Sequence, residues 1–307
     1  MKVKILFFII FLLSFFSCKN KNSITQIENI YIPKTISSVP IMELEGTKIN
    51  KKNIKTTFYQ DHITTFAQLL NGEINVVVTG FNLGVSGYVN SKKIVHVATY
   101  VWGVSSLITG KNNNDLNSIE DFKGKTITTP FAKSPLDLQL RAIIKYYNLD
   151  DKIKINYATL QQSIPLLIHD KTDGVCVPEP IASKLVSQGF NRVFNFKDYW
   201  KLINEGEPKS PQVSIFVRKD FAENNKDFCL ALIKELDKKI KYLKGTNNYP
   251  QKYLNVFELD ENIFKEAMNN TLFEIVHYEK SRQLCNNLLD KIEYQEKIND
   301  DFYLKGY

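Results

Sequence analysis

The chain has 307 residues, of which 43% are hydrophobic and 24% charged. That is enough apolar material for a sizeable core and two lobes, and it excludes disordered, collagen-like and coiled-coil classes. Lys+Arg exceed Asp+Glu by 40 to 33, giving +7, but the excess is spread out with no arginine-rich run, so no nucleic-acid partner is expected.

The chain opens with two positive charges, Lys2 and Lys4, and an apolar run from Ile5 to Phe16 broken only by Ser14. Such a run fits the apolar core of a secretory signal peptide, about 7–15 residues, and falls short of the roughly 20 that span a bilayer. Ser17-Cys18 follows, then the polar stretch Lys19-Asn20-Lys21-Asn22. A small residue followed by cysteine at this place resembles a bacterial lipoprotein signal, whose cysteine is lipidated and begins the mature chain. Phe15 and Phe16 depart from the usual leucine and small residue. The plainer alternative is an ordinary signal peptide with Cys18 incidental. Residues 1–17 are thus expected to be a signal peptide and 18–23 a tether. The protein is expected to be exported and lipid-anchored to the bacterial cell envelope.

Beyond the tether, short apolar runs alternate with helical patterns, which predicts βα units and a mainly parallel sheet. Ile30–Ile32 reads as a strand, and Ser37-Ser38-Val39-Pro40 as a capped helix start. Ile54–Tyr59 is a second strand. Asp61 caps a helix with Ile63, Phe66 and Leu70 on its apolar face, and Asn71-Gly72 ends it. Ile74–Thr79 reads as a strand buried on both faces. Gly80-Phe81-Asn82 leads into a short helix, and Ile94–Tyr100 and Val104–Thr109 are further extended runs.

The polar stretch 110–115 reads as a crossing between lobes. Ser118-Ile119-Glu120-Asp121 is a capping box, and Ser134-Pro135-Leu136-Asp137 is the strongest helix start in the chain. Strands are expected at Ile153–Tyr157 and Gly174–Val177, with Val193-Phe194 at an edge. A second break falls at Ser210-Pro211-Gln212, followed by a strand at Val213–Val217 and then only helices. That last strand needs a sheet to pack on. The expectation is a discontinuous first lobe, 24–109 plus 213–307, and an inserted second lobe, 110–212, joined by a hinge. Cys176, Cys229 and Cys285 sit in apolar contexts and read as small buried hydrophobes, with one disulfide among them the alternative.

Four segments in register carry a resemblance. They are Leu70-Asn71-Gly72-Glu73-Ile74-Asn75-Val76, Asp121–Ile127, Ser134–Asp137 and Asp173–Pro180. Together they resemble the periplasmic-binding-protein-like II family, in the nitrate/sulfonate/taurine-binding and thiamine-precursor-binding branch. Asn75 and Tyr100-Val101-Trp102-Gly103 depart from its usual pattern. The resemblance implies a periplasmic-binding-protein type II α/β fold, two lobes with a cleft between them. It also implies a small-molecule ligand and the permease and ATPase subunits of an ABC importer. A monomer without cofactor is expected.

In open α/β sheets, ligands sit beyond the carboxyl ends of strands, against helix N-termini that favour anions. Four such places are legible: Ser37-Ser38, Thr79-Gly80-Phe81-Asn82, Lys133-Ser134 and Glu179. Ser134 is also needed as a helix cap. Lys133 is either a solvated charge or a partner for an anion. Glu179 could accept hydrogen bonds from a ligand, or serve a lobe–lobe contact or a cap. Phe81, Tyr100 and Trp102 could form an aromatic wall for a planar ligand, or simply pack the core.

His62, His96, His169 and His277 read as ordinary surface or core residues. No HExxH, GxSxG, GxGxxG or P-loop is present, so no catalytic residues are assigned and the chain is not expected to be an enzyme. Two rivals remain: a surface interaction lipoprotein on the same scaffold, and an enzyme of the thiamine-pyrimidine-synthase-like or menaquinone-pathway type.

Overall fold

The computed structural model describes residues 26–113, 115–246, 248–296 and 298–307. The expected signal peptide, the tether and Cys18 lie outside the described residues. Strand β1 (Gln26–Pro33) leads through a 3-10 turn into the single-turn helix α1 (Val39–Met42). Strands β2 (Lys48–Ile49) and β3 (Lys52–Tyr59) form a hairpin, then come α2 (His62–Asn71), β4 (Val76–Gly80), α3 (Phe81–Ser91) and β5 (Ile94–Gly103). After Val104 the chain runs through β6 (Ser105–Thr109), β7 (Thr126–Thr129), α4 (Pro135–Tyr146), β8 (Lys154–Tyr157) and α5 (Leu160–Ile168). Next are β9 (Gly174–Pro178), α6 (Ile181–Ser187), β10 (Asn191–Asn195) and α7 (Phe196–Ile203). It returns through β11 (Val213–Arg218), α8 (Lys219–Asn224), α9 (Lys226–Gly245), α10 (Gln251–Phe257), α11 (Glu261–Asn270), β12 (Leu272–Phe273) and α12 (Tyr278–Lys291).

Among the described residues the strands form two sheets. One has the order β12-β5-β11-β4-β1-β3-β2 and the other β10-β6-β9-β7-β8. The crossing differs from the expected one. The expected bounds place Val104–Thr109 in the first lobe, yet β6 pairs with β9 and β10 in the second sheet. The chain therefore leaves the first sheet at Val104, before the polar stretch 110–115. Polarity marks an exposed loop, and a buried crossing carries no such mark.

Local signals explain several helix ends. The Asp61 carboxylate accepts the Thr64 N–H at 2.6 Å, and Gly72 closes α2 at a left-handed φ of 85°. Ser134 accepts the Asp137 N–H at 3.2 Å with Pro135 in the first turn, and Ser118 and Asp121 complete their capping box. The Ser37-Ser38 expectation is corrected. Ser38 donates to the Pro33 carbonyl at 2.6 Å instead of capping, and α1 lasts one turn.

Both faces of the first sheet are covered. Along β4, Val76 and Val78 enter one apolar cluster and Val77 the other, the alternation that a two-sided strand requires. The second cluster continues into the other lobe through Leu107, Phe122, Ile127 and Leu140. Helix α3 lies close on this face because two glycines allow it. A Cβ on Gly84 would fall 1.9 Å from the Phe216 ring, and one on Gly87 2.2 Å from the Phe66 ring. The three described cysteines are buried and free, in β9, α9 and α12.

Two buried polar arrangements lie in this lobe. Lys52 and Glu28, both buried, pair at 3.1 Å, with the ammonium 4.9 Å from the centre of the Phe221 ring. Asn75 donates to the other Glu28 oxygen at 3.0 Å. An aspartate at that position would set a second carboxylate against Glu28, so asparagine suits this chain. His96 is sealed among Phe81, Phe216, Phe302 and Tyr303 and bonds only the Thr99 hydroxyl, at 2.9 Å. Burial pulls its pKa from 6.5 down to about 3.

Gly84→Ala or Gly87→Ala is expected to overpack this face and cost about 1–3 kcal/mol, read from urea unfolding. An unchanged midpoint would show that the rings yield freely. His96 makes stability fall with pH. Below pH 6.5 the unfolded chain takes up a proton that the folded chain refuses until about pH 3. The expected loss is about 1.4 kcal/mol per pH unit, or about 2 kcal/mol between pH 7 and pH 5. His96→Gln should flatten that slope in denaturation series at the two pH values.

Candidate functional site

The carboxyl end of β4 meets the second lobe directly. A Cβ on Gly80 would lie 3.5 Å from the Pro135 side chain, at the start of α4. The N-terminus of α3 therefore faces the N-terminus of α4 across the lobe boundary. Between them runs the returning segment 210–212. The Phe81 N–H donates to the Gln212 carbonyl at 3.0 Å, and the Gln139 amide donates to the Ser210 hydroxyl at 2.6 Å.

Several buried polar side-chain atoms on the elements that meet here have no hydrogen-bond partner among the described residues. They are both amide ends of Asn82, Nε2 of Gln212, Oε1 of Gln139 and Oγ1 of Thr129 at the end of β7. An unpaired buried polar atom costs about 1–3 kcal/mol, so such atoms call for a further partner, an ordered water or a solute. The groups are neutral and offer both donors and acceptors.

Beside the seam, Thr79 draws in two residues. Its hydroxyl lies 2.9 Å from Nδ1 of His62, and the Tyr59 hydroxyl lies 2.8 Å from the same nitrogen. Tyr59 donates to the Val78 carbonyl at 2.8 Å. Desolvation lowers the His62 pKa, outweighing the pull of Asp61 in the other direction, and raises that of Tyr59.

The remaining expected residues are placed as follows. Ser134 is buried and occupied as the cap of α4. Lys133 is exposed at a φ of 63° and uses its backbone N–H on the Asp137 carboxylate at 2.7 Å. Ser37 shares a hydrogen bond with Thr35 and lends its carbonyl to the Tyr100 hydroxyl at 2.8 Å, so these side chains look inward. Trp102 is wholly buried, with its indole N–H on the Glu274 carbonyl at 2.8 Å. The expected aromatic wall does not form. Phe81 lies in the ring cluster around His96, while Tyr100 belongs to the other apolar cluster. Their size and apolar surface draw them into the core.

Glu179 is buried and already engaged. Its carboxylate accepts the Ser183 N–H at 3.0 Å and pairs with Arg192 at 2.8 Å. Burial raises its pKa despite the opposing pull of Arg192. Arg192 reaches on to Glu266 of α11, in the other lobe, at 3.2 Å, and Lys197 donates to the Asn270 carbonyl at 3.1 Å. Of the readings of Glu179, these bonds describe a cap on the first turn of α6 and, through Arg192, a lobe–lobe contact.

The seam thus gathers Thr79, Asn82 and Ser134 from the expected set. Tyr59, His62, Thr129, Gln139 and Gln212 were not anticipated. The Asp61 cap just after β3 was the one available signal for His62, since it marks another strand-to-helix turn of the same kind. Nothing local distinguishes Gln139 or Gln212.

The family model described as NMT1/THI5 like matches residues 52–247, more than half of the chain. A comparison with curated proteins finds no match. Among solved structures, an ABC transporter from Parabacteroides distasonis superposes with a TM-score of 0.73 at 13% identity, covering 91% of this chain and 98% of its own. The periplasmic aliphatic sulphonate binding protein of Escherichia coli gives 0.70 at 13% identity, covering 90% and 96%. The periplasmic nitrate-binding protein of Synechocystis PCC 6803 gives 0.67 at 12% identity, covering 91% and 84%. Likeness at these identities is a likeness of fold. The chain belongs to the NMT1/THI5-like family, and its two α/β lobes are built as in the type II periplasmic binding proteins.

Proposed function

We propose that this chain is the solute-binding component of an ABC importer and captures a small molecule between its lobes. The carrying observation is the set of unpartnered buried polar atoms contributed by both lobes at one seam, Asn82 from one and Thr129 and Gln139 from the other. The family and the fold support the same reading. The solute would complete those hydrogen bonds only when the lobes are together, so it shifts the open–closed equilibrium towards closed. No bond in the solute is made or broken. A permease would then recognise the closed pair of lobes and take the solute, with an ATPase driving the cycle.

Cys18 extends the proposal to an exported lipoprotein held at the bacterial cell envelope. Processing that is blocked by globomycin, and partition of the mature protein into detergent, are the expected results. A mature form that stays in the aqueous phase would remove the anchor and leave the solute-binding reading intact.

Solute capture is tested by thermal shift of the purified protein against small uncharged heteroaromatics and amides alongside sulfonates and nitrate. One compound should stabilise by about 2.7 kcal/mol at a hundredfold excess over its dissociation constant. Asn82→Ala should abolish that shift in a folded protein. The Arg192–Glu266 pair bridges the lobes at a partly exposed position, so Glu266→Gln should weaken binding about twofold to fivefold by disfavouring closure. Equal affinity in the variant would show that the pair does not report closure.

A further inference from the structure

The site contains a hydrogen-bond acceptor whose direction can be worked out from the protons around it. The Tyr59 hydroxyl has one proton, and that proton is on the Val78 carbonyl. Its oxygen can then only accept from Nδ1 of His62, 2.8 Å away. Nδ1 therefore carries the imidazole proton, and the Thr79 hydroxyl at 2.9 Å is free to accept from the same N–H or to turn its own proton elsewhere. In the neutral ring the other nitrogen, Nε2, is left with a lone pair. The ring stands edge-on to Tyr59, with centroids 5.0 Å apart, which holds its orientation. His62 is exposed as a residue while its ring is partly desolvated, and it sits against Thr79, one residue before the Gly80–Pro135 contact between lobes.

We infer that His62 is a specificity-determining residue of the interlobe site, presenting Nε2 as an acceptor, and that the solute is an uncharged small molecule with an N–H or O–H to donate. This rests on the solute-binding reading above. A fully ionised sulfonate or nitrate has no proton for Nε2 and would face its lone pair. The partnerless groups at the seam agree with an uncharged solute. Asn82, Gln139, Gln212 and Thr129 are amides and a hydroxyl, suited to a compact molecule with mixed donors and acceptors. Desolvation of His62 further disfavours the imidazolium that would otherwise welcome an anion.

Two measurements decide the matter. Nitrogen-15 NMR of the histidine rings in the full mature chain should show His62 with a pyrrole-like Nδ1 and a pyridine-like Nε2. A protonated Nε2 overturns the inference whatever binds. Thermal shift and calorimetry with uracil, nicotinamide and 2-pyrrolidone in one arm, and nitrate and methanesulfonate in the other, should give binding in the first arm only. His62→Phe, which keeps a ring and removes the acceptor, should weaken that binding about tenfold, the equivalent of one lost hydrogen bond. His62→Gln, which keeps an acceptor, should recover part of it. Binding confined to nitrate or methanesulfonate, or undiminished binding by a folded His62→Phe, overturns the inference. Silence in both arms with a pyridine-like Nε2 counts against solute capture itself, while a pyrrole-like Nε2 counts against this inference alone.

Discussion

The structure depends on the chain passing twice between its two sheets at the same place. The outgoing pass runs through Trp102, Gly103 and Val104, and the return through Ser210 and Gln212. The two are hydrogen-bonded to each other, Ser210 N–H to the Trp102 carbonyl and Gln212 N–H to the Val101 carbonyl, each at 3.0 Å. Glu179 joins them through its N–H on the Val104 carbonyl at 2.7 Å. This pairing fixes which strand ends face each other, and so which helix N-termini meet. It also explains why Tyr100 and Trp102 are core residues. A side chain beside a paired crossing is packed on several sides, and burying large rings there stiffens the joint.

Around that joint the contacts divide into two kinds. Some are apolar and continuous, such as the cluster that extends from the first sheet through Leu107 and Phe122 into the second lobe. Others are polar and few, such as Arg192 to Glu266 and Lys197 to the Asn270 carbonyl. Polar bridges at a partly exposed edge are individually weak and easily exchanged for water. Backbone pairing and the shared apolar cluster hold the joint itself, and the weak bridges at its rim are the contacts that a hinge motion would exchange first. The seam itself holds buried neutral polar groups, where each missing partner is expensive.

Much of the secondary structure was legible because its signals are local. Asp61 and Gly72 delimit α2, Ser134 and Pro135 open α4, and the run of valines in β4 declares a strand covered on both faces. Misreadings came where two local meanings compete. Ser37-Ser38-Val39-Pro40 has the form of a helix start, yet the Ser38 hydroxyl is taken by the Pro33 carbonyl. The polar stretch at 110–115 has the form of a linker, yet it is a loop within the second lobe.

Sequence alone determined the alternation of strands and helices and the class of fold. Those follow from periodicity and capping, which act over a few residues. Only the tertiary structure decided which polar side chains are left without partners. Asn82, Thr129, Gln139 and Gln212 are ordinary residues in the chain, and their unpaired state arises because separate elements from two lobes exclude water around them. The direction of the His62 acceptor is likewise tertiary. It follows from where Val78 and Thr79 of β4 stand relative to Tyr59 of β3, and pairing across a sheet sets that position.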